Sequence, residues 1–548
     1  MALLIDLFGY LSVLLHGLTI VAQSMALGGV LFLVLLAWPL APRIPDGDGL
    51  TRRAARLTGW AALALAACTA GKLLLQGAVL GETLGLSAAG VAGASFAVAG
   101  MVKAAGALAL AALLLAVPRA PAAALLGAGA AVLGAAVMTT HAAARPEGGG
   151  ALLVASALHI LGAAVWIGGI PSFVVALGRL HDADALRRVG ARFSRMSMAG
   201  VGCILLSAAA FAVAYIGSWD ALYGTAYGVM VSAKLALFAA LLLLGLGNFL
   251  VVERLRRDPA TPVLRMRRFA EAEIGVGVTL FLAAASLTSV PPSVDLPHDR
   301  VTLSEIAERN APRPPRLVSP DHDALALPAL QARLDREAEH ARTAAAPAFT
   351  PGSGEVPPRN AADVAWSEYN HHWAGLCVSL IGVLALLHRA GAGWARHWPL
   401  VFLGLAAFLF VRADPEAWPM GEIGFFESLR DAEVLQHRVF VVLICAFAFF
   451  EWGVRTGRLR RPGAALVCPV VTAVGAGLLL THSHAIGNVK EQLLIELSHT
   501  PLALAGVGAG WARWLEVRLH GRVARAMGWV WPVCFLAVGA TLLLYREA

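Results

Sequence analysis

Histidine is the side chain whose type and placement could carry chemistry in this chain. Its imidazole ring is costly to place in hydrocarbon, and it binds copper and haem iron. Nine of the 16 histidines fall at one end of the apolar segments, the end that the arginine distribution places outside. These nine are His16, His141, His159, His371, His372, His437, His482, His484 and His499. Histidines gathered on one side of a membrane indicate capture of a soft metal cation that arrives from that side.

One spacing sharpens this pattern. Met138 and His141 lie three residues apart, which would put a thioether and an imidazole on one helix face, where they would suit Cu(I). Hydration by water or headgroups is the simpler interpretation for a histidine at a boundary, whereas His16, His159 and His499, deeper in their segments, favour a function. The candidate metal ligands are His16, Met138, His141, His159, His437, His482, His484 and His499.

The elements that must hold these side chains are membrane helices. Apolar residues make up 58% of the 548 residues and charged residues 14%, against about 25% charged residues in a soluble domain. This composition excludes a soluble enzyme, a disordered scaffold and a secreted disulfide module. Because lipid offers the backbone no hydrogen-bond partner, it predicts an all-α polytopic membrane protein. A spanning helix needs about 20 mostly apolar residues. About fourteen segments qualify: 7–38, 56–80, 90–117, 121–141, 151–178, 195–217, 228–251, 270–290, 370–388, 398–412, 434–453, 463–482, 491–511 and 527–545.

Lysine and arginine predict the orientation of these helices. The short connections on one side carry 26 of these residues, and those on the other side carry 6. The positive-inside rule places the basic side in the cytoplasm. We therefore expect a multi-pass protein in the lipid bilayer with both termini on the outer side.

The segment from 293 to 369 interrupts the series of apolar helices. It is bounded by Pro291-Pro292 and Pro357-Pro358, and proline also recurs inside it, as in a linker. The sequence therefore predicts an eight-helix membrane domain at 1–292, a partly disordered external linker at 293–369, and a six-helix membrane domain at 370–548 with histidine-rich outer ends. The helices divide as 8 + 6.

The first domain contains a weak internal repeat of four helices. His16 and Gly28-Gly29 in the first segment correspond to His159 and Gly168-Gly169 in the fifth. Other matched residues are Cys68 with Cys203, Met101 with Met230 and Lys103 with Lys234. Four helices return the chain to its starting side, so the repeat would be parallel.

Missing motifs exclude several classes of activity. The chain has no GxxxxGK[ST] phosphate loop, so it has no nucleotide site of that kind. Cys468-Pro469 resembles the Cys-Pro element of copper-pumping ATPases, but no aspartyl-phosphate motif accompanies it. The arginines lie in short loops rather than on one basic face, which argues against a nucleic-acid partner. We expect no catalytic residues, although a redox role through haem is left open.

Several motifs resemble the copper resistance protein D family. The run from Leu158 to Gly169 reads LHILGAAVWIGG, which is similar to the signature helix of that family. The likeness is strongest over 151–292 and extends over residues 1–292. It continues through Arg192-Phe193-Ser194, Gly224-Thr225-Ala226-Tyr227-Gly228, Lys234, Asn248, Glu273, Leu287-Thr288 and Pro291-Pro292. The second domain resembles the C-terminal membrane extension of longer family members.

The resemblance implies a bacterial inner-membrane protein of copper homeostasis that moves copper from the periplasm to the cytoplasm. It also implies a separate periplasmic CopC-type copper-binding protein as partner and His159 as a metal contact. Two alternatives stay open. In a membrane redox protein, paired histidines such as His437 and His499 would ligate a b-type haem. In an assembly factor, copper would be held briefly for another protein.

Overall fold

The chain folds as a series of apolar helices. A computed structural model describes residues 8–117, 120–144, 149–297, 300–325, 361–429, 431–481 and 489–547. These residues contain no strand, and one isolated bridge pairs Ala417 with Ile423. The predicted class, an all-α polytopic membrane protein, is confirmed.

Eight membrane helices precede the predicted linker. They are α1 (Phe8–Arg43), α2 (Gly47–Leu84), α3 (Ser95–Ala116), α4 (Ala122–Val137), α5 (Gly149–Arg179), α6 (Ala183–Ile216), α7 (Ala226–Arg257) and α8 (Leu264–Leu287). Three of them contain a π-helical turn, at Leu33–Ala37 in α1, Ala164–Gly168 in α5 and Ala212–Ile216 in α6.

Six more helices follow the predicted linker. They are α9 (Ala361–Arg389), α10 (Gly393–Arg412), α11 (Ala432–Arg455), α12 (Ala464–Leu479), α13 (Val489–Arg518) and α14 (Gly521–Leu543). Short helices lie at Ala88–Gly93, His141–Ala144, Trp219–Gly224, Leu303–Arg309 and Phe425–Ser428, with 3-10 turns at Ser293–Asp295 and His322–Ala324.

Each of the fourteen predicted segments overlaps one of these helices. Within the described ranges, 12 helices are long and apolar enough to span a membrane, while α4 and α12 are shorter apolar helices. Helix α4 has 16 residues and rises about 24 Å, less than the roughly 30 Å of a hydrocarbon core. Other helices exceed their predicted segments: α9 begins at Ala361 rather than 370. Polar residues such as Asp363 and Glu368 extend it beyond the apolar part that defines a hydropathy segment.

The chain divides into two compact units. Unit 1 comprises Met1–Trp219, Val231–Val294 and Thr481–Ser483, and unit 2 comprises Asp220–Met230, Asp295–Leu480 and His484–Ala548. The sequence-based domains at 1–292, 293–369 and 370–548 stay predictions.

In unit 1, helices α1 and α5 meet backbone to backbone. A Cβ atom on Gly28 would overlap the Ala164 carbonyl and lie 2.5 Å from the Gly168 carbonyl carbon. A Cβ atom on Gly168 would in turn overlap the Ser24 carbonyl. Glycine is therefore required on both helices for this approach, as in small-residue contacts between other membrane helices.

The core of unit 2 combines aromatic and small residues with buried charges. Trp398 and Trp531 pack with Ile381, Cys468 and Ala509. Ion pairs at one end of this core join Glu451 to Arg455 at 2.6 Å, Arg513 to Glu516 at 2.5 Å and Arg389 to Glu516 at 3.1 Å.

Part of the predicted linker is fixed to unit 2. The Arg316 backbone N–H donates to His372 Nδ1 at 2.7 Å, and Trp373 Nε1 donates to the Leu317 carbonyl at 3.2 Å. Residues 300–325 are thus held against the N-terminal part of α9, and 326–360 lie outside the described residues.

Candidate functional site

His159 lies in the first half of α5 and is held by a hydroxyl group from α6. Its Nδ1 lies 3.0 Å from Ser207 Oγ, and its ring meets the Phe211 ring edge-on at 5.4 Å between centroids. Ser207 Oγ also lies 2.9 Å from each of the Cys203 and Ile204 carbonyl oxygens, and its single proton is donated to these acceptors. Because the hydroxyl has one proton and a carbonyl accepts it, we assign Nδ1–H of His159 as the donor to Ser207. The lone pair of this imidazole is then on Nε2, where a metal ion would bind.

A buried carboxyl forms a second polar group in unit 1. Glu273 on α8 is 3% exposed, and it accepts hydrogen bonds from Asn248 on α7 and from Trp166 in the π-helical turn of α5. Asn248 Oδ1 is itself buried without a hydrogen-bond partner among the described residues. A carboxyl group that is buried in a membrane helix and held by neutral donors is suited to binding a proton or a cation.

These two groups are joined by α5. His159 and Trp166 are seven residues apart on this helix, which is about two turns or 10 Å. The motif residues Trp166, Asn248 and Glu273, which are far apart in sequence, meet in space. The sequence alone indicated each of them by resemblance but gave no indication that they contact one another.

His16 has a different surrounding. Its Nδ1 lies 3.1 Å from Lys72 Nζ on α2. Lys103 on α3, which is 7% exposed, is an electrostatic neighbour of Lys72. His16 therefore lies beside the Lys72 ammonium, which does not favour a metal cation there.

The predicted pair Met138 and His141 is not formed on one helix. Helix α4 ends at Val137, and a turn separates it from the short helix His141–Ala144. Met138 is 58% exposed, and the His141 side chain lies outside the described part of the chain. The shared helix face expected from the spacing is absent because α4 ends at Val137, before both residues.

In unit 2, His437 and His499 are held by neighbouring groups. His437 Nδ1 lies 2.5 Å from Asp414 Oδ1. His499 Nδ1 lies 2.9 Å from the Ile495 carbonyl oxygen, and its ring meets Tyr545 edge-on at 6.3 Å. His371 stacks on the same Tyr545 ring at 3.8 Å. His482 and His484 lie outside the described residues.

Helix packing does not support the axial haem pair His437 and His499. Among the described helices, α11 packs chiefly on α10, whereas α13 packs chiefly on α12 and α14. Two axial ligands must face each other across the haem, and these two histidines lie on helices that do not form a main interface. In the part of the chain that the structure describes, no three His, Cys, Asp or Glu residues form a group that could hold a metal ion. Haem b stays a prediction.

Comparison with known proteins addresses the same part of unit 1. Residues 187–287 match the family model of copper resistance protein D. The copper transport protein CutJ of Bacillus subtilis (strain 168) is 34% identical over 137 residues, which is 24% of this chain and 24% of that protein. The chain thus spans about a quarter of the length of this curated relative. No solved structure matches the chain.

The matched region contains the partner of His159 and the buried carboxyl group. Ser207, Asn248 and Glu273 all lie within 187–287, whereas His159 and Trp166 precede it. The resemblance that the sequence motifs indicated is confirmed over this region: residues 187–287 are similar to the copper resistance protein D family.

Proposed function

We propose that this protein handles copper in a bacterial inner membrane and moves copper ions from the periplasm to the cytoplasm through unit 1. The observation that carries the proposal is the family match over 187–287, the region that supplies Ser207 to His159. The name of the Bacillus relative, a copper transport protein, supports the same role. A periplasmic CopC-type protein would deliver the copper.

In this proposal His159 is the first ligand. Imidazole suits copper, and the bond from His159 Nδ1 to Ser207 orients Nε2 and leaves its lone pair for the ion. Copper would then pass inward along α5 toward Glu273, about two helical turns away. A carboxyl group there would bind the ion and release a proton in exchange for it. With no GxxxxGK[ST] phosphate loop in the sequence, movement would follow a gradient or be coupled to another ion.

The test is copper accumulation in cells that produce the His159→Ala variant. We expect the rate of copper accumulation to fall at least tenfold, because Ser207 cannot replace the imidazole. His181→Ala is the matched control, since His181 is exposed and lies at the end of α5 that is predicted to be cytoplasmic. Immunoblotting of membranes verifies that both variants insert equally.

Two outcomes would contradict this assignment. Unchanged copper accumulation in His159→Ala cells would exclude His159 as the entry ligand. Copper bound to the purified wild-type protein without any accumulation in cells would instead support the copper-holding assembly factor.

A further inference from the structure

The two halves of unit 1 place a histidine against the same position of the following helix. Lys72 comes four residues after Cys68 on α2, and Ser207 comes four residues after Cys203 on α6. In each half the histidine belongs to the preceding helix, His16 on α1 and His159 on α5. The internal repeat that the sequence predicts therefore makes Lys72 and Ser207 equivalent residues.

The contacts follow the same equivalence. His16 Nδ1 lies 3.1 Å from Lys72 Nζ, and His159 Nδ1 lies 3.0 Å from Ser207 Oγ. The same ring nitrogen thus meets the same helix position at nearly the same distance in both halves. The two halves differ in the group that is presented, which is an ammonium in one and a hydroxyl in the other.

This difference reverses the proton arrangement of the imidazole. An ammonium group has only donors, so Lys72 donates to His16 Nδ1 and the ring proton of neutral His16 is on Nε2. His16 then has no lone pair left for a metal ion. At His159 the proton is on Nδ1 and the lone pair is on Nε2. His16 therefore has no ring nitrogen that can bind a metal ion, whereas His159 has one.

The lysines near the two histidines also favour metal binding at His159 over metal binding at His16. The Lys72 ammonium is a cation fixed within hydrogen-bond distance of His16, and Lys103 is its electrostatic neighbour. The equivalent of Lys103 in the other half is Lys234, an electrostatic neighbour of His159. Two lysines, Lys72 and Lys103, therefore lie in the surroundings of His16, against Lys234 in those of His159. The additional positive charge disfavours a further cation at His16.

We propose that unit 1 contains two repeat-related cation sites and that the chain's own Lys72 ammonium fills the one at His16. Copper is admitted at His159 alone. This inference rests on the proposed function for the identity of the ion. It assigns Lys72 a role that neither the family resemblance nor the charge pattern indicates, namely that of a built-in competitor for the transported cation.

The test exchanges the two residues and counts bound copper. The purified full chain in detergent is titrated with Cu(I) against a coloured chelator, as wild type, Lys72→Ser, Ser207→Lys and the double exchange. We expect one copper ion that depends on His159 in the wild type, and a second one that depends on His16 in Lys72→Ser. The double exchange should keep one copper ion, now lost on His16→Ala rather than on His159→Ala.

Charge-conserving and folding controls keep the result interpretable. Lys72→Arg keeps a cation beside His16 and should gain no copper ion. Size-exclusion profiles show whether each variant is folded. If Ser207→Lys does not fold, Lys72→Ser still decides the question, because Lys72→Ser removes a charge from the membrane rather than adding one.

The outcomes separate this inference from the proposed function. If His159→Ala loses copper but Lys72→Ser binds no additional copper ion, the inference is wrong and the proposed function stands. The same conclusion holds if Lys72→Ser changes the copper affinity at His16 by less than tenfold. If wild-type copper content is the same with and without His159, the proposed site and this inference both fall.

Discussion

Glu273 is the residue whose surroundings most strongly indicate a role in the proposed copper movement. Its carboxyl group is buried on α8 and bonded by Asn248 and Trp166. Both partners are neutral donors, so they hold the group in place without supplying the charge that would neutralise it. A group kept in this way can take up a proton or a metal cation, and the two can exchange.

Replacement of Glu273 by glutamine removes the ionisable group but keeps a side chain of nearly the same shape in its place. The amide oxygen of Glu273→Gln can still accept both hydrogen bonds, so we expect thermal stability in detergent to change by less than about 1 kcal/mol. Copper accumulation should fall at least tenfold because the ionisable group is gone. Glu271→Gln is the control, since Glu271 is already paired with Arg268 at 2.5 Å. Wild-type copper accumulation in Glu273→Gln would show that this carboxyl group is only structural.

Asp414 tests a buried ion pair in unit 2. It lies 2.5 Å from His437 and 3.9 Å from Arg438, whose side chain is 7% exposed. Asp414→Ala leaves the Arg438 charge buried without its carboxylate, and we expect a loss of about 3 kcal/mol of unfolding free energy. The exposed pair Arg187 and Asp184 is the comparison: Asp184→Ala should cost less than about 1 kcal/mol. Equal thermal shifts for the two variants would argue against a structural role of the buried pair.

The sequence predicted the candidate residues better than their partners. Burial of a histidine in an apolar segment can be read from local sequence, so His159 was found. Its partner Ser207 is 48 residues away, and only the equivalence of Cys203 with Cys68 could have indicated it. His437 and Asp414 likewise pair across a connection between helices, a contact that local spacing does not encode.

At the scale of helices, the contact between α1 and α5 depends on glycine. A Cβ atom on Gly168 would collide with the Ser24 carbonyl, which belongs to helix backbone and cannot move aside as a side chain can. The paired glycines seen in the sequence thus mark a place where two helices of the internal repeat touch. Their meaning as an interface was not evident before the helices were placed together.

A pair of glycine substitutions measures this contact. Gly168→Ala should lower the unfolding free energy by about 2–3 kcal/mol, because α1 and α5 must separate. Gly202→Ala on α6 meets no atom within 4 Å, so we expect no loss and a gain of up to about 1 kcal/mol from better helix propensity. Thermal unfolding in detergent compares the two variants. A Gly168→Ala variant as stable as Gly202→Ala would contradict the close approach.

Helix existence was predictable, and helix ends were not. Each apolar segment became a helix because lipid leaves the backbone no other hydrogen-bond partners. The ends include polar residues that a hydropathy criterion leaves out of the segment. Helix α2 begins at Gly47, well before the predicted 56, and includes Arg52 and Arg53. At the end of α4 the error ran the other way, since the helix ends at Val137, before the predicted end at 141.

At the scale of the whole molecule, the distribution of charge predicts the orientation in the membrane. The last turn of α7, next to the connection at 258–263, carries Arg254, Arg256 and Arg257. The connection before α7, around Ser218, carries no basic residue. The positive-inside rule predicts that the first connection faces the cytoplasm and the second the periplasm. The proposed direction of copper movement depends on this orientation.

Reporter fusions provide the check. A fluorescent protein fused after Pro259 should be fluorescent, and alkaline phosphatase fused after Ser218 should be active, because these reporters work in the cytoplasm and the periplasm respectively. Exchanging the two reporters between the same positions is the control, and both should then be silent. The opposite pattern would invert the proposed path, with His159 on the cytoplasmic side.

The brevity of α4 and α12 has a consequence for the lipid around this protein. A helix of 16 residues is about 6 Å too short for an average hydrocarbon core, whereas the 38 residues of α2 are more than long enough. Hydrophobic mismatch of this kind thins the adjacent bilayer or draws polar flanking residues into it. The acyl chains beside α4 and α12 would therefore be compressed, so that the thickness of the host membrane becomes one of the variables that regulate folding and activity.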